Sequence, residues 1–203
     1  GLAQIVSEDW TSRMNSIESA DADESFMGRV VAWKLSFILA TQNPVFGGGF
    51  KSLEYFPVWT ALSQDFFAYS WFYTGDALPN TEVARAAHSV YFQVMGEHGF
   101  GGLIVFLIVL GGAFLKAGRL ARKVKKLGGP EWIRSIATML QLSLFTYALG
   151  GAALSFAYFE LFYAIIALLI VLESRILPAA LKKQSPVCNG TQSLAVPSLA
   201  PQQ

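Results

Sequence analysis

The side chains best suited to acid–base chemistry lie in one short stretch, residues 87–99. Both histidines, His88 and His98, occur there together with Glu97. An imidazole can accept and return a proton near neutral pH, which makes His88 a candidate base, although a lone histidine is more often structural. If Ser89 caps a helix through Glu97, then His88 and Glu97 point in opposite directions. Glu97 is therefore predicted to support the structure, and His98 is not assigned a functional role.

Arg29 is the candidate for binding an anion. Its guanidinium offers a planar fork of donors that matches phosphate oxygens and keeps its charge at physiological pH. Apolar residues recur at helical spacing around it and Asn43-Pro44 ends the pattern, so we predict an amphipathic, interfacial helix over 25–42. The alternative for Arg29 is a solvated side chain or one paired with a nearby acid.

Composition places the chain among integral membrane proteins. Of its 203 residues, 53% are hydrophobic and only 14% are charged, and the mean hydropathy is +0.43. A net charge of +1 gives no basic field that would indicate nucleic acid binding. The single cysteine, Cys188, excludes an internal disulfide and a cysteine metal site. The chain starts at Gly1 without a signal-peptide pattern, so we expect a fragment of a longer protein.

Hydropathy predicts an all-α polytopic fold with three transmembrane helices, at about 99–117, 133–151 and 153–174. Cations follow the first segment at positions 116–126 and the third at positions 175–183. By the positive-inside rule, the C-terminal ends of these two segments lie in the cytoplasm. Residues 1–98 then lie outside the cytoplasm, with helices over 25–42 and 89–98, and residues 177–203 form a disordered cytoplasmic tail. An Arg and a His at such a membrane edge suit an amphiphilic substrate with a phosphate head.

Three further features have two interpretations each. The glycine-rich loop at 44–50 is either a turn or a site where backbone amides approach an anion. The aromatic run at 51–80 is typical of the headgroup layer, with sugar stacking as the alternative. Glu160, predicted inside the third span, is either part of a helix contact or a functional acid.

Four motifs in this order resemble the O-antigen ligase and polymerase superfamily, most closely its branch of O-glycosylation ligases associated with exosortase A systems. The motifs are Ser12–Ile17, Met27–Trp33, Asn43–Phe50, and Ala87–Tyr91 with Gly96–Gly101. The resemblance covers about residues 7–175. It implies a GT-C-like glycosyltransferase of the bacterial inner membrane that moves a glycan from undecaprenyl pyrophosphate to an acceptor hydroxyl at the periplasmic face.

The resemblance also implies roles for individual residues. Arg29 would neutralise the pyrophosphate leaving group and His88 would act on the acceptor hydroxyl, with Trp33 and Tyr91 as further substrate-binding residues and Glu97 as structural support. The implied partners are the carrier-linked glycan, an acceptor protein or glycolipid, and membrane lipids, with neither cofactor nor metal. Because the superfamily's N-terminal half is missing here, the fragment alone is expected to be inactive.

Two other functions stay open at this point. A polysaccharide polymerase would use a second carrier-linked glycan as its acceptor. A transporter or non-catalytic membrane scaffold would use residues 1–98 only to bind a partner.

Overall fold

The computed structural model describes residues 24–184. Parts of the sequence predictions, namely the loop before residue 24, the Ser12–Ile17 motif and the tail from residue 185, lie outside this range. Within it every regular element is helical and no strand occurs. The helices are α1 (Glu24–Gln42), α2 (Phe56–Gln64), α3 (Val90–Lys126), α4 (Glu131–Gly151), α5 (Glu160–Val171) and α6 (Leu177–Gln184). Short 3₁₀ turns cover Ser52–Glu54 and Phe66–Tyr69, and a π-helical turn, Leu172–Ile176, joins α5 to α6.

Two stretches in the described part of the chain are long and apolar enough to cross a membrane, Val90–Lys126 and Glu160–Gln184. They carry apolar side chains that are exposed in the described part of the chain, such as Ile108 on α3 and Leu161 on α5. The protein is therefore a helical membrane protein. A third crossing by α4 stays a prediction, because this helix is not one of the two.

The helices differ in length from the predicted spans. The helix of the first predicted span, 99–117, continues as α3 to Lys126, so the cations occupy its last turns. The end of the span itself stays a prediction. The third span was predicted to start at 153, but α5 starts at Glu160. Glu160 is consequently exposed in the first turn of a helix, where a carboxylate is favourable. Residues 177–184 were predicted to be disordered and are helical.

The stretch of residues 87–99, which contains His88 and Glu97, ends at a break in α3 at Gly99. Its φ of 69° and ψ of −172° lie in a region that only glycine adopts readily. In an unbroken helix the amide of Gly101 would bond to the carbonyl of Glu97. The Gly101 amide donates instead to the carbonyl of Pro44 at 3.2 Å. The Glu97 carbonyl accepts a hydrogen bond from the amide of Gly49 at 2.9 Å.

The glycine-rich loop at 44–50 thus packs its backbone against the break. A Cβ atom on Gly47 would lie 2.5 Å from the Gly99 nitrogen, and one on Gly99 would lie 2.5 Å from the Pro44 oxygen. The amides of Gly48 and Gly49 bond to carbonyls of α3. These bonds favour the structural interpretation of the loop over an anion site.

The aromatic run does not form one surface. Trp59 and Phe66 are buried with the apolar face of α1. Lys34, also buried, donates from Nζ to the Phe72 carbonyl at 3.2 Å and lies 4.1 Å from the Phe66 ring centroid. Other rings of the run are exposed, among them Tyr55, Phe67, Trp71 and Tyr73. The buried rings therefore hold the loop on α1. Contact of the exposed rings with the membrane interface stays a prediction.

Candidate functional site

The structure brings Arg29 and His88 together although 59 positions separate them in the sequence. Both line a cavity of about 90 Å³, with Gly28, Arg85 and Ala86 as the other lining residues. Arg29 comes from the first half of α1, and His88 lies just before α3 begins. The arrangement gives one small cavity two guanidinium groups and one imidazole.

Arg85 was missed by the sequence analysis. It lies in the irregular segment between Tyr69 and Val90, where no helical spacing links it to Arg29. Its guanidinium lies over the glycine that precedes Arg29, because a Cβ atom on Gly28 would be 2.7 Å from Arg85 Nη1. No ion pair joins Arg29 or Arg85 to an acid within residues 26–184. The two cations suit a shared anionic ligand.

The backbone at His88 is held in an uncommon conformation. Its φ is 48°, in the left-handed region, where histidine is tolerated better than most residues. The His88 amide donates to Ser155 Oγ at 2.9 Å, so the loop between α4 and α5 fixes this residue. Ser89 occupies the N-cap position of α3 as predicted, but its side chain makes no capping hydrogen bond. The exposed His88 side chain is left facing the cavity.

Trp33 and Tyr91 contact the protein and do not line the cavity. Trp33 Nε1 donates to the Ala87 carbonyl at 2.6 Å, and its ring stacks on Phe92 with centroids 5.1 Å apart. Tyr91 Oη donates to the Ala148 carbonyl at 2.7 Å. In these contacts both side chains hold the start of α3 near His88. Substrate binding by either residue stays a prediction.

Glu97 is 4% exposed and belongs to a separate hydrogen-bond network just before the break at Gly99. Its carboxylate accepts hydrogen bonds from Tyr158 Oη and, at 3.3 Å, from Gln93 Nε2. His98 Nε2 lies 2.8 Å from Tyr158 Oη. These contacts tie α3 to the loop before α5. A purely supporting role for Glu97 stays a prediction.

We expect replacement of Tyr158 by Phe to lower the free energy of unfolding by about 1–3 kcal/mol, because the buried Glu97 carboxylate loses a donor. Partial burial and the hydrogen bond to Glu97 raise the pKa of Tyr158 above its ordinary value of 10.0. A raised pKa in the folded state means that this stabilisation is complete below about pH 10 and is lost at higher pH. Thermal unfolding in detergent micelles measures the effect.

Tyr163→Phe is the matched control for this substitution, because the Tyr163 hydroxyl makes only a long hydrogen bond, 3.4 Å, to the Ala157 carbonyl. Equal melting temperatures for the two variants would contradict the role given to Tyr158.

No group of three His, Cys, Asp or Glu side chains in the described range is placed to hold a metal ion. The cavity itself offers donors of hydrogen bonds and positive charge, which is a set suited to phosphate oxygens. Its one group able to accept a proton is the imidazole of His88.

Comparison with known proteins relates the chain to a family. The family model described as O-antigen ligase matches residues 2–107, just over half of the chain. No curated protein and no solved structure matches. The matched region includes α1, the glycine-rich loop and the start of α3, and so contains every residue that lines the cavity.

Proposed function

The chain belongs to the O-antigen ligase family, whose activity is of the glycan ligase or polymerase type, and from that premise we propose that it transfers a glycan from undecaprenyl pyrophosphate to an acceptor hydroxyl at the periplasmic face of the inner membrane. The observation that carries the proposal is the cavity shared by Arg29 and His88 at the start of an apolar helix. A lipid-linked pyrophosphate needs its head bound where its tail can still enter the bilayer.

Arg29 is proposed to bind the pyrophosphate and stabilise it as it leaves. Negative charge grows on the bridging oxygen as the glycosidic bond to phosphate breaks, and a fixed guanidinium at that point stabilises the transition state more than the ground state. The low dielectric at a membrane edge strengthens this interaction. Arg85, which lines the same cavity, adds a second positive charge.

The proposed reaction is a substitution at the anomeric carbon. The acceptor oxygen attacks this carbon, the bond from the carbon to the phosphate oxygen breaks, and undecaprenyl pyrophosphate leaves with the bonding electrons. His88 takes the proton of the acceptor hydroxyl and can return it to solvent or to the departing phosphate. No cofactor enters this balance.

Replacing His88 in the intact membrane protein tests this role. We expect His88→Asn to reduce transfer by about 10²–10⁴-fold, the usual contribution of a general base, while the protein still inserts. Asn tolerates the left-handed backbone at this position and so removes the imidazole with little strain. The measurement is transfer from purified undecaprenyl-pyrophosphate-linked glycan in proteoliposomes. Normal transfer by both His88→Asn and His88→Ala would overturn the assignment.

The acceptor separates a ligase from a polymerase. With the gene deleted, loss of a ligase leaves long glycans on the carrier, whereas loss of a polymerase leaves single repeat units on it. We expect long glycans to accumulate and the modified protein or lipid to disappear. Single repeat units would favour the polymerase, and unchanged glycans would favour a non-catalytic scaffold. The resemblance to ligases of exosortase A systems leads us to expect a protein acceptor.

A further inference from the structure

A second, larger cavity adjoins the one that holds Arg29 and His88. Its volume is about 300 Å³, at the lower end of the range of about 300–1,000 Å³ for small-molecule sites. The two cavities share Gly28 and Arg85 as lining residues. The larger one is otherwise lined by residues of α1, α2 and the segment after it, namely Val31, Trp59, Asp76, Ala77, Leu78 and Asn80.

The lining has the chemistry of a sugar site. Asp76 offers carboxylate oxygens that accept hydrogen bonds from hydroxyl groups, and the Asn80 side chain carries an Nδ2 group that can donate to them. Asp76 is exposed and forms no ion pair within residues 26–184. Trp59 is buried and its Nε1 donates to the Asn80 carbonyl at 2.9 Å. Trp59 therefore fixes the wall of the cavity and is not an exposed platform for stacking.

The position of Asn80 is fixed by its own backbone turn. Its Oδ1 accepts hydrogen bonds from the amides of Glu82 at 2.7 Å and Val83 at 2.9 Å. The Trp59 bond and this turn together hold the segment that ends at Arg85. A cavity with a rigid wall is what selective recognition of hydroxyl positions requires.

We propose that the larger cavity binds the sugar residue directly attached to the pyrophosphate of the donor, with Arg85 lying between the phosphate and sugar subsites. The inference rests on the proposed function. Since the first sugar is bonded to the phosphate, its subsite must adjoin the phosphate subsite, and the two cavities meet at Gly28 and Arg85. Gly28 permits this meeting, because any larger residue would displace the Arg85 guanidinium.

Donor kinetics of the intact protein in proteoliposomes test the proposal. We expect Asp76→Asn to raise the KM for undecaprenyl-pyrophosphate-linked glycan about tenfold, since the charged acceptor is replaced by a neutral amide and one acceptor oxygen is lost. The inhibition constant of undecaprenyl pyrophosphate, which carries no sugar, should stay within about twofold. Leu78→Trp narrows the cavity from an exposed position. It should likewise raise the donor KM and leave the inhibition constant of undecaprenyl pyrophosphate unchanged, and it replaces Asp76→Asn as the test if that variant fails to fold. Glu82→Gln is the matched control, because this exposed acid of the same segment does not line the cavity.

The outcomes separate this inference from the proposed function. An unchanged donor KM in active Asp76→Asn and Leu78→Trp proteins would overturn the sugar subsite and leave the ligase intact. A parallel rise of both constants would also overturn it, because the cavity would then bind phosphate. Normal transfer by Arg29→Ala and His88→Asn would instead remove the proposed function itself.

Discussion

Replacing Arg29 by Ala is expected to reduce glycan transfer by about 10²–10³-fold, the cost of removing a preorganised charge donor from a transition state. The side chain lines the cavity together with His88 and Arg85, so its loss leaves one guanidinium for a leaving group with several charged oxygens. Transfer in proteoliposomes and accumulation of carrier-linked glycan in cells give two independent readouts. The inhibition constant of undecaprenyl pyrophosphate should rise as well, because this residue binds the phosphate.

Arg29→Lys and a distant arginine provide the controls. Lysine keeps the charge but loses the planar fork of donors, so we expect it to restore only part of the activity. Arg122→Ala removes a cation at the other end of α3, where the guanidinium bonds to the Gly118 carbonyl at 3.2 Å, and it should transfer normally. If Arg29→Ala transfers as well as Arg122→Ala, Arg29 does not bind the leaving group.

Arg29 and His88 could be chosen as candidates from the sequence because their residue types limit their chemistry, and their roles stay predictions. Sequence reasoning could not find Arg85 or Ser155, because their roles depend on where irregular segments run in space. Ser155, for example, accepts the His88 amide across 67 positions of sequence. The contacts of Trp33 and Tyr91 with distant carbonyls were hidden for the same reason.

Hydropathy predicted where the apolar segments lie but not where each helix starts. It located the apolar stretches of α3 and α5, since the cost of burying charge in a bilayer is large. It misplaced the start of α5, because the turn after α4 extends to residue 159 and contains apolar residues such as Phe156. The aromatic run was ambiguous, because burial against α1 and exposure to the interface both favour aromatic side chains.

The largest structural effect is expected from Gly99→Ala. The φ and ψ of this residue are close to forbidden for alanine, and the new Cβ would lie 2.5 Å from the Pro44 oxygen and 2.8 Å from the Asn43 oxygen. Strain of about 1–3 kcal/mol from the backbone alone adds to the clash, and the bonds between the glycine-rich loop and α3 must shift. Because His88 lies one short helix away, transfer should fall together with stability.

Gly111→Ala is the matched control in the same helix. Gly111 has helical geometry and nothing lies within 4 Å of a Cβ atom placed on it, so alanine should be neutral or stabilise the helix by up to about 1 kcal/mol. Thermal unfolding of both variants in detergent, with transfer measured in parallel, tests the prediction. If the Gly99→Ala protein has the same melting temperature as the Gly111→Ala protein, α3 can continue as a regular helix through residue 99. The break would then not be what presents His88 to the cavity.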